Sequence, residues 1–139
     1  IQSPQMIQAI IASPSGQKKM KPRILIADDE EGIRESLNLI LGEEHDLVFA
    51  KDGEETLSHL TQESFGLALL DIKMPKLDGL EVLRRLQGKN LTTPILMLTA
   101  YQSVELAKEA VKLGARDYLP KPFEREQILT AVHGILARQ

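Results

Sequence analysis

The chain has 139 residues, a formal net charge of −3 and no cysteine. This length suits one domain, and the charge gives no electrostatic footprint for nucleic acid or an anionic membrane. The lack of cysteine excludes disulfides, thiolate chemistry and zinc–thiolate sites. No apolar run approaches the ~20 residues of a membrane span, and the N-terminus lacks a secretory signal pattern. The expected location is therefore cytoplasmic, with no membrane partner and no direct binding to nucleic acid.

Residues 1–20 differ in composition from the rest of the chain, being rich in Gln, Ser and Pro. Ser3 and Pro4 fit an N-cap followed by proline at the first helical position, with an apolar stripe after them. Two interpretations stay open, a tail or linker and a short helix that docks on a neighbouring surface. Met20 could also be a natural start. The main domain is predicted to span residues 21–139.

From Arg23 onward, short apolar runs recur between turn or charged residues. They are "RILIA" (23–27), "LVFA" (47–50), "LALLD" (67–71), "PILMLT" (94–99) and "RDYLP" (116–120). Three of the runs are apolar without alternation, which is typical of strands covered on both faces. We therefore predict five strands.

Helical periods separate these runs and predict five helices. The apolar positions that mark them are Ile33, Leu37, Ile40 and Leu41; Leu57 and Leu60; Leu80 and Leu83; Ala107 and Val111; and Ile128, Val132, Ile135 and Leu136. Gly42, Gly88 and Gly114 stand where helices should end. Strict alternation of strand and helix, joined by right-handed crossovers, predicts an α/β fold with a parallel sheet between two helical layers.

Reactive side chains follow four of the predicted strands. They are Asp28, Asp29, Asp71, Thr99 and Lys121. Because ligands of an open α/β sheet bind outside the carboxyl ends of its strands, these side chains are expected to share one site. Each one alone has a plainer interpretation as a helix cap, a turn former or a surface lysine. Glu30 and Glu31 are assigned to the start of the next helix, where the helix dipole favours acids.

The chemistry of the set indicates a metal and a phosphoryl group. Asp28, Asp29 and Asp71 form an acidic cluster of oxygen donors, which selects a hard ion such as Mg²⁺. Lys121 and Thr99 supply the positive charge and the hydroxyl that hold phosphoryl oxygens. Asp71 ends the central strand and is the best candidate for a nucleophile that forms an aspartyl phosphate.

At these residues the chain resembles the receiver domain of two-component response regulators. "ADDE", "LLDIKMPKLDGLEVL", "MLTA" and "YLPKPF" stand in the family's order and spacing. The resemblance covers about residues 21–138, and the wording around "LTAYQSVELAKEAVKLGARDYLPKPF" is most similar to nitrogen-regulator-type receivers. It implies a flavodoxin-like, doubly wound sheet with strand order 2-1-3-4-5.

The resemblance also implies a role for each site residue. Asp71 is the phosphoacceptor, and it ligates Mg²⁺ directly together with Asp29 and the backbone carbonyl of Lys73. Asp28 acts on the metal through water. Lys121 pairs with the phosphoryl group.

Further roles concern switching and the lifetime of the modified state. Thr99 hydrogen-bonds the phosphoryl group and moves toward it on activation, and Tyr118 then swings inward as the switch residue. The bond from Lys121 to Pro122 is expected to be cis. Lys73 and Tyr101 occupy the two variable positions that tune the lifetime of the acyl phosphate, and Tyr101 is expected to shield it.

By this resemblance the domain is a signalling module that catalyses only its own phosphorylation and dephosphorylation. Its phosphodonor partner would be a histidine kinase or phosphotransfer protein of a phosphorelay. Its output partner would be an output domain or effector outside this chain. A phosphorylation-dependent dimer is also possible by this resemblance. Whether the chain is a stand-alone receiver or part of a longer regulator or hybrid kinase stays open. Two other functions were weighed, a phosphorylation-independent pseudo-receiver and a haloacid-dehalogenase-like Mg²⁺ phosphohydrolase.

Overall fold

The computed structural model describes residues 21–100 and 104–138, and in these ranges a single parallel sheet lies between two layers of helices. Its strands are β1 (Arg23–Ala27), β2 (Asp46–Ala50), β3 (Leu67–Asp71), β4 (Ile95–Thr99) and β5 (Asp117–Pro120). They pair in the order β2-β1-β3-β4-β5. The predicted strand order is therefore confirmed. The segment 1–20 and Tyr101, on which predictions were made, lie outside the described residues.

Five helices follow the strands in the described ranges. They are α1 (Glu31–Leu41), α2 (Gly53–Gln62), α3 (Gly79–Leu86), α4 (Val104–Lys112) and α5 (Arg125–Ala137). Buried residues of α1 and α5 pack on one face of the sheet, and those of α2, α3 and α4 pack on the other. This arrangement confirms the predicted doubly wound fold. None of the described helices is long and apolar enough to cross a bilayer.

The central strands contain uninterrupted apolar runs because both of their faces are covered. In β1, Leu25 and Ala27 belong to one core while Ile24 and Ile26 belong to the other. All residues of β3 are buried. Since neighbouring residues of a strand point to opposite faces, two cores require an uninterrupted apolar run. This rigid centre places the end of β3 between the ends of β1 and β4.

One predicted helix has a different buried face from the expected one. Val111 is 47% exposed, whereas Ala107 and Ala110 are buried. The helix itself is confirmed, and its buried side includes the two alanines. Two of the three predicted helix-ending glycines, Gly88 and Gly114, have φ of +83° and +112°. Such values favour glycine, which has no Cβ.

An aspartate caps the start of α2. The Asp52 carboxylate accepts a hydrogen bond from the Glu55 amide at 2.8 Å and begins α2. Its second oxygen lies 3.5 Å from the Lys76 ammonium in the loop after β3. The Glu55 hydrogen bond, together with the Lys76 charge, lowers the pKa of Asp52 despite some desolvation. The cap therefore also links α2 to the loop that follows Asp71.

Replacing Asp52 by alanine should reduce the free energy of unfolding by about 1 kcal/mol, because the first turn of α2 loses its cap. Asp52→Asn should retain most of the stability at neutral pH, since asparagine also caps. Because the pKa of Asp52 is lowered in the folded state, the extra stability of wild type over Asp52→Asn is present above about pH 4. This extra stability is lost as the pH falls through the folded-state pKa of Asp52. Urea unfolding of the three proteins measures this. Equal stability of wild type and Asp52→Ala would contradict the role of the cap.

Candidate functional site

Three aspartates meet where β1 and β3 end. Parallel pairing of Ala27 with Leu70 brings Asp28, the next residue, beside Asp71. Carboxylate oxygens of Asp28, Asp29 and Asp71 all lie within 4.8 Å of one another. Asp28 and Asp71 are buried, and Asp29 is exposed. The acidic cluster that the sequence predicted is thus present as a group.

A glycine allows the start of α3 to pack directly on the strand end. The Gly79 amide donates to the Ile72 carbonyl at 2.6 Å. A Cβ at Gly79 would clash with the Asp71 carbonyl oxygen. Any side chain there would therefore push on the backbone that holds Asp71.

Lys121 places its ammonium among the carboxylates of Asp28, Glu30 and Asp71. Its ammonium nitrogen lies 2.7 Å from Asp28 Oδ2, 3.3 Å from Glu30 Oε1 and 3.4 Å from Asp71 Oδ2. Lys121 follows β5, and its amide donates to the Thr99 carbonyl at 2.7 Å. The side chain therefore extends from β5 past the end of β4 to reach β3 and β1.

The pKa values of Asp71 and Lys121 reflect burial and the charges of their neighbours. Burial and the neighbouring Asp28 carboxylate raise the pKa of Asp71 to about 6, against the opposing effect of the Lys121 ammonium. Burial alone would lower the pKa of Lys121, but its hydrogen bond to Asp28 and the charges of Asp71 and Asp28 outweigh this effect and raise it. Lys121 is therefore a permanent cation at neutral pH, and Asp71 is an unusually basic carboxylate.

The other predicted residues lie at or near the same edge. Thr99 ends β4 and is buried. The Lys73 amide donates to Asp71 Oδ1 at 3.4 Å, and the Lys73 side chain points to solvent. The Lys121–Pro122 bond is cis, the geometry that the resemblance implied. Tyr118, in the edge strand β5, is 41% exposed.

Two contacts at the site were not predicted from the sequence. Glu30 was assigned to the helix start, and its backbone is the N-cap of α1, but its side chain makes no capping bond and instead contacts Lys121. The position of Glu30 at the helix start is as predicted, and the contact with Lys121 is additional to it. Arg34 donates to the Asp28 carbonyl at 2.8 Å. The sequence signal for this contact was the position of Arg34, one helical turn after Glu30.

The residues present fit a hard divalent cation. The Asp28, Asp29 and Asp71 cluster offers only carboxylate oxygens, which suit Mg²⁺ better than softer metals. Glu30 adds a fourth carboxylate nearby, whereas Lys121 supplies one positive charge. A cation bound to the acids would relieve the repulsion that raises the pKa of Asp71.

Fold and site together define a class of protein, a doubly wound α/β domain whose acid cluster and lysine converge at the carboxyl ends of β1, β3 and β5. The family comparison agrees with this class. The family model described as "Response regulator receiver domain" matches residues 24–133. The chain belongs to this family, and it is a receiver domain of the kind found in two-component signalling.

Curated relatives support the same assignment. The chain is 42% identical over 120 residues to response regulator MprA of Mycobacterium tuberculosis strain H37Ra, covering 86% of this chain and 52% of the relative. It is 41% identical over 120 residues to MprA of Mycolicibacterium vanbaalenii, with the same coverage of both proteins. The chain thus spans about half the length of these relatives.

Solved structures show the same fold. The receiver domain of the Francisella response regulator 1452 superposes with a TM-score of 0.79 at 33% identity, covering 85% of this chain and 98% of that one. A CheY-like receiver domain protein from Methanospirillum hungatei JF-1 gives a TM-score of 0.79 at 32% identity, covering 86% and 96%. The finer resemblance to nitrogen-regulator-type receivers stays a prediction from the sequence.

Gly79→Ala should lower the free energy of unfolding by about 1–3 kcal/mol, the usual cost of forcing atoms into a packed site. Gly134→Ala is the matched control, because a Cβ at Gly134 in α5 meets nothing within 4 Å. That control should gain up to about 1 kcal/mol from helix propensity. Urea unfolding measures both, and a Gly79→Ala protein as stable as wild type would contradict the close approach.

Asp71→Asn should stabilise the chelator-treated protein. Because the folded-state pKa of Asp71 is raised, ionisation of Asp71 lowers the free energy of unfolding as the pH rises through about 6. This loss is absent below the unfolded-state pKa. We expect a gain of about 1–2 kcal/mol at about pH 7.5 after allowing for solvent screening, and none at about pH 3.5. Urea unfolding with Glu43→Gln, an exposed acid, as control measures it. A pH-independent difference would contradict the electrostatic cause.

Proposed function

We propose that this domain accepts a phosphoryl group on Asp71 from the phosphohistidine of a histidine kinase or phosphotransfer protein. The observation that supports this is the pairing of a buried, basic carboxylate with an ammonium 3.4 Å away, at an edge whose acids fit a divalent cation. Mg²⁺ would be held by Asp29, Asp71 and the Lys73 carbonyl, with Asp28 acting through water. The bound ion would supply positive charge to the phosphoryl oxygens.

The chain's own residues then account for the transfer. An ionised Asp71 oxygen attacks phosphorus and forms an O–P bond as the P–N bond of the phosphohistidine breaks. The bonding electron pair returns to the imidazole nitrogen. The ring leaves as neutral imidazole when its other nitrogen carries a proton, and it otherwise takes a proton from solvent. Asp71 requires the carboxylate form for this attack, and its pKa of about 6 leaves it ionised at neutral pH.

Lys121 and Thr99 orient the group that Asp71 receives. The ammonium of Lys121 is already beside Asp71 Oδ2, so it can donate to a phosphoryl oxygen there with little movement. Thr99 is buried at the end of the adjacent strand and supplies a hydroxyl. Hydrolysis by water later breaks the O–P bond and restores the carboxylate, and Lys73 and Tyr101 are proposed to set its rate.

The proposed output is a population shift of the surface formed by α4, β5 and α5. β4 and β5 pair with Met97 opposite Tyr118 and Thr99 opposite Pro120. A movement of Thr99 toward the phosphoryl group therefore acts on the strand that holds Tyr118. Tyr118, now 41% exposed, would turn inward and change what this surface presents to an output domain, an effector or a second receiver.

The test uses a small phosphodonor, acetyl phosphate, with and without Mg²⁺. We expect intact-mass spectrometry to show the gain of one phosphoryl group in wild type with Mg²⁺, and none in Asp71→Ala. Lys121→Ala should react about 10²-fold more slowly, the usual cost of losing one donor to a developing anion. Lys89→Ala, which removes an exposed lysine, should react like wild type.

Two outcomes would contradict the proposal. Absence of modification in wild type with Mg²⁺ would favour the pseudo-receiver, which docks without phosphorylation. Uptake of phosphate by Asp71→Ala would show that another residue is the acceptor. Repeated turnover of an external phosphoester, with no stable modification of the chain, would instead indicate the phosphohydrolase.

A further inference from the structure

Glu30 differs from the other carboxylates around Lys121. Its Oε1 lies 3.3 Å from the Lys121 ammonium, yet its side chain is 62% exposed. The side chains of Asp28 and Asp71, the two other partners, are 0% and 5% exposed. Glu30 has no role among the metal ligands or phosphoryl contacts proposed above. Its contact with Lys121 therefore needs an explanation of its own.

The ammonium of Lys121 has three N–H donors, and three carboxylates now surround it. A phosphoryl group on Asp71 would add three strong acceptor oxygens at the same place. The donor that now faces Asp71 Oδ2 can turn to one of these oxygens, and a second donor has to come from the contact with Asp28 or with Glu30. The geometry of the site shows which carboxylate can release the Lys121 ammonium.

Asp28 is held in place from three sides. Its Oδ1 accepts from the Glu30 amide at 2.9 Å, its Oδ2 accepts from Lys121 at 2.7 Å, and its carbonyl accepts from Arg34 at 2.8 Å. Glu30 has a long side chain that is mostly in water, and that side chain makes no capping bond to α1. Glu30 can therefore turn into solvent at little cost, whereas Asp28 cannot.

We propose that Glu30 is a positioning residue that holds the Lys121 ammonium in the unphosphorylated domain and competes with the phosphoryl group for it. This inference rests on the proposed function. While Glu30 accepts from Lys121, one donor is withheld from the acceptor site. Loss of the Glu30 charge frees that donor, so the domain then binds a phosphoryl group more readily.

The test compares Glu30→Gln with Glu31→Gln, which removes the same charge one residue along the chain. Glu31 begins α1, and among the described contacts it has none to Lys121. The probe is beryllofluoride, a stable mimic of a phosphoryl group, titrated at saturating Mg²⁺ and followed by NMR. We expect Glu30→Gln to bind it about threefold to fivefold more tightly than wild type, the scale of a partly exposed ion pair. Glu31→Gln should bind like wild type.

A second measurement is made without the probe. The ¹⁵N chemical shift of the Lys121 ammonium should change in Glu30→Gln and stay unchanged in Glu31→Gln, while the thermal midpoints of both variants match wild type. A merely structural role of Glu30 would move the midpoint and not the ammonium signal.

The role of Glu30 would be overturned if the two variants bound beryllofluoride equally tightly, or if Glu30→Gln left the Lys121 signal unchanged. Neither result would contradict the proposed function. If wild type binds no beryllofluoride with Mg²⁺, the proposed function fails, and the inference about Glu30 fails with it. The two failures are thus distinguishable.

Discussion

The ion pair between Lys121 and Asp28 is the contact on which the site depends. It joins the end of β5 to the end of β1 across two intervening strands, with both side chains almost fully buried. Breaking a buried pair by removing one partner costs about 3–5 kcal/mol, because a charge is left uncompensated. The same ammonium also lies 3.4 Å from Asp71, so this ion pair also places a cation beside the proposed phosphoacceptor.

This arrangement needs a rigid support, and the two cores supply it. The paired strands β1 and β3 fix the spacing of Asp28 and Asp71, and Gly79 lets α3 pack closely against the end of β3. Burial of Asp71, together with the neighbouring Asp28 carboxylate, raises its pKa even though the Lys121 ammonium is close by. The fold therefore builds a site with unmet negative charge, which a divalent cation or a change of partners can relieve.

Much of this could be predicted from the sequence, for physical reasons. Uninterrupted apolar runs indicate strands covered on both faces, and parallel strands bring their carboxyl ends to one edge, so Asp28, Asp71 and Lys121 could be assigned to one site. The direction of a long, exposed side chain is not fixed by such patterns. Glu30 could be placed at the helix start, but its contact with Lys121 could not be foreseen, and neither could the 47% exposure of Val111, which shares a helical period with Ala107. Both depend on neighbours that only the packed structure defines.

The central claim is that the acid cluster is a cation site built around Asp71. Titration of Mg²⁺ into the ¹⁵N-labelled protein, followed by NMR, tests it most directly. The account predicts saturable shifts confined to the ends of β1 and β3 and to Lys121, with binding strongly weakened in Asp71→Asn and unchanged in Glu43→Gln. Shifts spread over the exposed acids, or equal affinity of wild type and Asp71→Asn, would contradict it.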